Sequence, residues 1–216
     1  VTQQLKETQT HPYLHKTVSL SKSVHICETE DALVKEADVL ILAINSEGIQ
    51  EVLSRLKPNL PAGIHLLNTA KALTESGSPI SKVVEDVMKG ATYTYSILAG
   101  GTIATDLFEK EPLGVDIACT DIAVSEQHCD VFQSNNLAAY PTTDVIGVEY
   151  ASAFKNVVAI LSGIIKGMGF SYGAQTHVIS RAAYEVKKLI VNELGAQEKT
   201  FQMNSQCWGN DLWMSC

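Results

Sequence analysis

The most constraining feature of this sequence is an alternation of short apolar runs with amphipathic segments between about residues 30 and 143. The apolar runs are continuous, which is typical of strands buried on both faces of a parallel sheet. The segments between them have helical periodicity, and Pro58 and Gly90 mark two of their ends. This order predicts an α/β fold with a largely parallel sheet covered on both faces. The predicted strands are DVLILAI, GIHLLNTA, YSILAG, VDIACTD and AAYPTT.

The character of the sequence changes after about residue 143. The stretch GVEYASAFKNVVAILSGIIKGMG is long and apolar and has no strand punctuation. The next stretch, SYGAQTHVISRAAYEVKKLIVNELG, is amphipathic and closes at Gly195. The sequence therefore predicts a sheet-containing part over 1–143 and a helical part over 144–216. No flexible linker separates them, so we expect the two parts to pack closely.

Composition limits the classes of partner and the compartment. Of the 216 residues, 45 % are hydrophobic and 19 % charged, with a formal net charge of -8. This argues against nonspecific nucleic-acid binding, which needs clustered lysine and arginine. The five cysteines are odd in number and lack C-x-x-C spacing, which favours reduced thiols. Without an apolar run of signal or membrane-span length, we expect a soluble, cytoplasmic protein.

The histidines give no reason to expect a metal site. His11 and His15 are four residues apart, but Pro12 lies between them and disfavours a regular helix. No carboxylate-bearing zinc motif follows them. We therefore predict no metal.

Candidate ligand residues follow the predicted strands, because ligands of such sheets bind at the carboxyl ends of strands. These positions are Asn45 and Ser46, Lys71, and the run 100–102. Taken alone, Lys71 is better explained as a solvated loop residue than as a ligand-binding one. The segment AGGTIATDL could meet an anion with backbone N–H groups at a helix start. A plain turn followed by a Thr102 N-cap explains the same residues.

One charged residue interrupts the apolar helix predicted after residue 144. Within EYASAFKNVVAI, Lys155 has Ala151, Phe154, Val157 and Val158 as its apolar neighbours. Its ammonium could reach water past an apolar stem, or it could serve chemistry inside the fold. In the tail, Asp211 lies between apolar neighbours and by itself indicates no more than a helix cap.

Taken together, these segments resemble one family. The order AK, GGTIATDL, DVIGVEYASAFKNVVAI, GMGF and NDLWMSC is similar to that of the NAD(P)-dependent glycerol-3-phosphate dehydrogenases, from about residue 30 onward. The resemblance implies an incomplete Rossmann-like dinucleotide-binding domain over 1–143 and the start of a helical substrate domain over 144–216. It also implies hydride transfer at C2 between sn-glycerol 3-phosphate and dihydroxyacetone phosphate, NAD or NADP as cofactor, a role in glycerophospholipid metabolism, and a homo-oligomer such as a dimer.

The resemblance also implies roles for individual residues. Lys155 corresponds to the catalytic lysine, and Lys71 to a lysine that contacts both cofactor and substrate. Ala104 corresponds to an alanine beside the cofactor. The remaining substrate-binding positions are Gly100, Thr102, Asn156, Asp211 and Ser215.

Departures from the family pattern affect cofactor and substrate binding. Gly101 and Asn45 stand where the family has prolines, so we expect looser binding geometry. Asp106 stands where the family has a glutamate. The sequence contains no G-x-G-x-x-G, the loop that cradles the cofactor pyrophosphate. It also ends before the arginine-asparagine segment that would help hold the substrate phosphate. It therefore resembles the middle of a dehydrogenase, as a truncated piece, an incomplete gene product or a degenerate relative.

The expected mechanism answers why a lysine lies in an apolar helix. Oxidising an alcohol by hydride loss requires removal of the hydroxyl proton, and apolar surroundings lower the pKa of a lysine toward the range of a general base. Lys71 would place positive charge beside the alkoxide or phosphate, and Asp211 would orient the ammonium or a hydroxyl. Two alternatives stay open: a related dehydrogenase for another small hydroxy compound, and a noncatalytic remnant.

Overall fold

The chain forms a five-stranded sheet that is followed by two long helices. The structure, a computed structural model, describes residues 2–10 and 19–216, so His11 and His15 lie outside the described residues. The helices are α1 (Thr2–Thr8), α2 (Glu30–Val34), α3 (Ile49–Leu56), α4 (Ile80–Val87), α5 (Ala104–Phe108), α6 (Ile122–Phe132), α7 (Val145–Gly167), α8 (Tyr172–Leu194) and α9 (Asp211–Ser215). The strands are β1 (Val39–Leu42), β2 (Ile64–Asn68), β3 (Tyr93–Ala99), β4 (Leu113–Cys119) and β5 (Leu137–Thr142).

The sheet has the order β1-β2-β3-β4-β5 and is largely parallel, which confirms the predicted fold class. The pairs β1–β2, β2–β3 and β4–β5 are parallel, whereas β3–β4 is antiparallel with Ala99 opposite Asp116. Because β1, β2 and β3 are parallel to one another, their carboxyl ends meet at one edge. The predicted ligand-binding turns after β2 and β3 therefore lie close together.

Local signals in the sequence explain where several helices begin and end. The Thr29 hydroxyl accepts a hydrogen bond from the Ala32 N–H at 3.2 Å and caps α2. Pro58 lies in a short 3-10 helix directly after α3, and Gly195 ends α8 in the left-handed conformation with φ 78°. The sequence analysis did not predict α6, whose apolar residues are spread around the helix instead of forming one stripe.

Coverage of the sheet is less complete than the continuous apolar strands suggest. On one face, α2, α3 and α4 bury side chains such as Leu40 and Leu66, and α7 continues this layer over β3. On the other face, α6 packs over β4 and β5. In the described part of the chain nothing covers the second face of β1, where Val39 and Ile41 are 37 % and 47 % exposed. The expectation of two covered faces is therefore wrong at β1.

Helix α7 connects the sheet to the C-terminal part. Among the described residues, α7 alone is long and apolar enough to cross a membrane. However, half of its apolar stretch is buried within the fold. It contacts β3, α8, α9 and the segment before α9. The buried side of α7 repeats at helical spacing through Val148, Ala151, Lys155 and Val158, so the lysine occupies a core-facing position.

Candidate active site

A buried carboxylate lies between two lysines at the junction of the sheet and the C-terminal helices. Asp211 is 0 % exposed, and its Oδ1 and Oδ2 accept hydrogen bonds from Lys155 Nζ and Lys71 Nζ, both at 2.8 Å. A buried charge is stable only when it is paired, and two cations satisfy this requirement. Two ammonium groups and one carboxylate leave one net positive charge, which suits an anionic ligand or a developing alkoxide.

Lys71 reaches the cluster from the turn after β2. Asn68, the last residue of that strand, is fully buried, and its side chain accepts from the Ala70 N–H at 2.9 Å and donates to the Ala70 carbonyl at 3.3 Å. These bonds fix the turn. The Lys71 ammonium donates to the Gly100 carbonyl as well as to Asp211, and its side chain is 26 % exposed. The alternative that Lys71 is a solvated loop residue is therefore wrong.

Lys155 is held inside the fold by polar partners. It is 8 % exposed, and its ammonium donates to Asp211 and, at 3.0 Å, to the Ser215 hydroxyl. Of the apolar neighbours named from the sequence, Ala151 and Val158 are buried with it, whereas Val157 is 56 % exposed on another side of the helix. The reading in which Lys155 reaches out to water is wrong, because its ammonium is paired in the interior.

The turns that carry the cluster approach each other too closely for larger side chains. A Cβ atom on Gly100 would lie 2.4 Å from the Gly114 carbonyl oxygen, and one on Gly101 would lie 3.3 Å from the Asp211 Cα. Glycine at these positions lets the turn after β3 pack directly on the backbone of its neighbours. At Gly101 the turn therefore packs closely on Asp211. The expected looser binding geometry stays a prediction.

Other predicted positions surround the cluster without joining it. Thr102 does not cap α5, because the N-cap position is Ile103 and has no side-chain hydrogen bond, so that alternative is wrong. Ala104 is exposed at the first residue of α5. Asn156 is exposed, and in residues 2–10 and 19–216 its side chain makes no hydrogen bond. Asp211 begins α9 and follows the N-cap residue Asn210, so it is not a helix cap.

Two buried carboxylates near the site were missed by sequence reasoning. Glu149 is 2 % exposed and accepts from the Ser81 N–H and the Tyr95 hydroxyl, both at 2.8 Å, which ties α7 to α4 and β3. Burial raises the pKa of Glu149. Asp116 lies in the middle of β4. Both residues could have been noticed in the sequence, because each is a charged residue inside an apolar segment, as Lys155 is.

The cluster is accessible from solvent, but the sequence lacks the loop that usually binds the pyrophosphate of a dinucleotide. The Lys71 side chain is 26 % exposed, and Ala104, at the start of α5 after the neighbouring turn, is exposed, so both are accessible to a bound molecule. No glycine-rich loop of the G-x-G-x-x-G type occurs in the sequence to hold the pyrophosphate. No group of three or more metal-ligating side chains lies together in the described residues.

Comparison with known proteins bears on both parts of the chain. The family model for the NAD-dependent glycerol-3-phosphate dehydrogenase N-terminus matches residues 1–125, and the model for the C-terminus matches residues 144–216. A glycerol-3-phosphate dehydrogenase [NAD(P)+] from Francisella tularensis subsp. novicida is 31 % identical over 215 residues, which cover 99 % of this chain and 63 % of the relative. The chain thus spans less than two thirds of that relative.

Solved structures share the fold. A glycerol-3-phosphate dehydrogenase from Coxiella burnetii superposes with a TM-score of 0.89 at 20 % identity, covering 100 % of this chain and 65 % of the other. One from Plasmodium falciparum gives a TM-score of 0.90 at 16 % identity, covering 99 % and 60 %.

The largely parallel sheet with helices, followed by a helical part, defines a Rossmann-like α/β protein. Its cluster of two lysines and an aspartate lies where the two parts meet. Since one family model covers residues 1–125, more than half of the 216, the chain belongs to the NAD-dependent glycerol-3-phosphate dehydrogenase family.

Proposed function

We propose that this chain carries the catalytic centre of an NAD(P)-dependent oxidoreductase that interconverts sn-glycerol 3-phosphate and dihydroxyacetone phosphate. The observation that carries the proposal is the buried Asp211 carboxylate, held at 2.8 Å from the ammonium groups of Lys71 and Lys155. Family membership supports the substrate and the use of NAD or NADP. We also propose that the protein is cytoplasmic and homo-oligomeric, with residues 1–143 and 144–216 as its two domains.

Lys155 is the proposed acid and base. When dihydroxyacetone phosphate is reduced, a hydride reaches C2 and the Lys155 ammonium gives its proton to the former carbonyl oxygen, which becomes the hydroxyl group. In the oxidation direction, the neutral Lys155 amine takes the hydroxyl proton as the hydride leaves C2. A nicotinamide cofactor, when bound, would supply or accept that hydride. Asp211 and Ser215 hold the Lys155 Nζ in place through the whole cycle.

Lys71 has a different proposed task. Its ammonium is fixed by Asp211 and the Gly100 carbonyl, and its side chain is partly open to solvent. A fixed positive charge at this place stabilises a developing alkoxide or the substrate phosphate. Gly100, Thr102 and Asn156 are the further proposed substrate contacts, and Ala104 is proposed to lie against the cofactor.

The cofactor affinity of the 216-residue chain is expected to be low. Without a glycine-rich loop, the pyrophosphate loses the backbone N–H groups that usually bind it. Calorimetric titration with NADH and NADPH measures this affinity directly. A dissociation constant in the low micromolar range would contradict the expectation and would indicate that another element replaces the loop.

A chimera tests the proposed reaction itself. The segments of the Francisella relative that flank the matched region are added before and after this chain, and NADH or NADPH formation is followed by absorbance. We expect glycerol 3-phosphate to be oxidised faster than any other small hydroxy compound in a panel. Preference for a different compound would support the alternative of a related dehydrogenase. Absence of turnover with all compounds would support the noncatalytic remnant.

A further inference from the structure

The residues directly before Asp211 form a single π-helical turn, Gln206–Asn210. The Asn210 N–H donates to the Ser205 carbonyl at 2.9 Å, five residues earlier. Such turns are rare and occur frequently at functional sites, because they add one residue to a helix and thereby redirect the side chains that follow. Here the residue that follows is Asp211, so the π-helical turn sets the position of the carboxylate that both lysines contact.

Asp116 supports this turn from the middle of β4. Its Oδ2 accepts from the Cys207 N–H at 2.8 Å and from the Ser205 hydroxyl at 2.9 Å, and the residue is 9 % exposed. Ser205, at the N-cap position, makes no side-chain capping bond of its own. A carboxylate that accepts from the first turn of a helix satisfies an otherwise unpaired donor and interacts favourably with the helix dipole. Asp116 therefore caps the π-helical turn from a distant strand.

Pairing between β3 and β4 connects Asp116 to the turn that contacts Lys71. Ala99, its partner across the antiparallel β3–β4 pair, is followed directly by Gly100, whose carbonyl accepts from Lys71. The backbone of β4 also approaches Gly100 so closely that a Cβ there would lie 2.9 Å from the Val115 Cα. One strand thus fixes both the turn beneath Lys71 and the segment that carries Asp211.

We propose that Asp116 is a positioning residue of this active site, which acts through the π-helical turn to hold Asp211 between Lys71 and Lys155. The proposal rests on the proposed function for its catalytic meaning. It assigns Asp116 no contact with substrate or cofactor. It predicts that loss of the Asp116 carboxylate releases the Lys155 ammonium from its buried partner even though the fold persists.

The test measures the reactivity of individual lysines toward an amine-modifying reagent, together with amide hydrogen exchange over residues 205–211. Asp116→Leu removes the acceptor. Loss of hydrogen bonds to a charged group should shift the local opening equilibrium by about 10- to 100-fold, so the modification rate of Lys155 should rise by that factor. Asp116→Asn keeps an acceptor oxygen for the Cys207 N–H and should stay within a few-fold of the parent chain.

Asp144 provides a matched control. It is also a buried carboxylate, 5 % exposed, whose Oδ2 accepts from the Gln197 N–H at 2.8 Å and from the Thr200 hydroxyl and so anchors the C-terminal segment. Its Oδ1 caps α7 by accepting from the Gly147 N–H at 3.0 Å, and asparagine keeps that acceptor. Asp144→Asn should lower the melting temperature but leave the modification rate of Lys155 unchanged. A rise in the Lys155 rate in Asp144→Asn as large as that in Asp116→Leu would overturn the proposal, because it would indicate general destabilisation.

The variants also separate this proposal from the proposed function. In the chimera, Asp116→Leu should lower kcat more than it raises KM for the cofactor, and Asp116→Asn should restore most of kcat. If the chimera has no turnover but Lys155 still becomes reactive in Asp116→Leu, the positioning role holds and the proposed function fails. If Asp116→Leu does not fold, Ser205→Ala decides, because it removes one of the two hydrogen bonds that Asp116 accepts. An unchanged Lys155 rate and unchanged hydrogen exchange over residues 205–211 in Ser205→Ala would then overturn the role.

Discussion

At the scale of single residues, the chemistry depends on a charge balance inside the protein. Asp211 is fully buried, and removal of one partner from a buried ion pair usually costs about 3–5 kcal/mol because a charge is left uncompensated. With two lysines on its two oxygens, Asp211 keeps one partner when the other gives up its proton. In the proposed mechanism, this arrangement lets Lys155 change its charge without leaving Asp211 unpaired.

Replacement of each lysine should give a different kinetic pattern in the chimera. Lys155→Ala should lower turnover by about 10²–10⁴-fold and leave cofactor affinity nearly unchanged, because this lysine is proposed to act on the substrate oxygen. Lys71→Ala should weaken binding of both cofactor and substrate. Steady-state kinetics on the variants measures both effects. Lys166→Ala is the control, since Lys166 is exposed near the end of the same helix. Near-normal turnover of Lys155→Ala would remove the catalytic assignment.

A buried histidine should make the fold sensitive to acid. His128 is 4 % exposed, its two ring nitrogens lack hydrogen-bond partners in the described residues, and its ring lies 5.4 Å from that of His65. Burial, and secondarily His65, lower the pKa of His128 below its ordinary value of 6.5. The unfolded chain therefore binds a proton more readily than the folded chain, so the free energy of unfolding falls as the pH drops below about 6.5.

Substitution of His128 tests this dependence. His128→Phe removes the titrating group but keeps a planar ring, so the loss of stability between neutral and mildly acidic pH should become smaller. Chemical denaturation at several pH values provides the measurement. An identical pH dependence in the parent chain and the variant would show that other groups control the acid response.

At the scale of elements, helix α7 and the π-helical turn determine where the site lies. Helix α7 carries Lys155 on the side that faces β3 and the C-terminal segment, and Glu149 fastens the same helix to α4. The π-helical turn brings Asp211 to that side. Gly209 is required in this turn, because a Cβ there would lie 2.2 Å from the Met203 carbonyl oxygen.

A pair of glycine substitutions should have opposite effects on stability. Gly209→Ala forces a backbone shift and should cost about 1–3 kcal/mol, as overpacking does elsewhere. Gly163→Ala lies in α7, where a Cβ would meet nothing within 4 Å, and should stabilise the protein by up to about 1 kcal/mol through helix propensity. Thermal unfolding of the two variants measures the difference. A melting temperature for Gly209→Ala equal to that of the parent would contradict the tight contact.

At the scale of the whole molecule, apolar surface is exposed in two places, on β1 and in a groove beside α8. The edge strand β1 presents Val39 and Ile41 to solvent. The other edge strand, β5, contains Pro141, which is a common feature of edges that do not pair further. An apolar groove of about 620 Å³ lies between α8 and the C-terminal segment, where Trp213 is 72 % exposed. Apolar surface of this kind favours association.

We expect the 216-residue chain to associate with further copies of itself in a concentration-dependent way. Ile41→Lys places a charge on the open face of β1 and should reduce association, since charged side chains on edge strands oppose strand pairing. Val131→Lys is the control, because Val131 is 74 % exposed on α6, away from β1. Light scattering over a wide concentration range measures the mass. A monomer at all concentrations in the parent chain would contradict this expectation.

The sequence alone determined the features that depend on near neighbours in the chain. Apolar runs and helical periodicity located all five strands and the two long helices, and Thr29 and Gly195 marked helix ends, because strand burial and capping act over a few residues. For Lys71, Lys155 and Asp211, the sequence around each residue also allowed a solvent-exposed lysine or a helix cap. Only the resemblance to a family identified them as site residues.

Only the tertiary structure decided how these residues act together. Lys71 and Asp211 are 140 residues apart, and Lys155 and Asp211 are 56 apart, so no local pattern records their contact. The π-helical turn depends on the Asp116 carboxylate from a distant strand and on the close approach of Gly209 to Met203. Such features arise from packing between segments that are remote in sequence, where burial makes each unpaired charge costly and thereby selects one arrangement of partners.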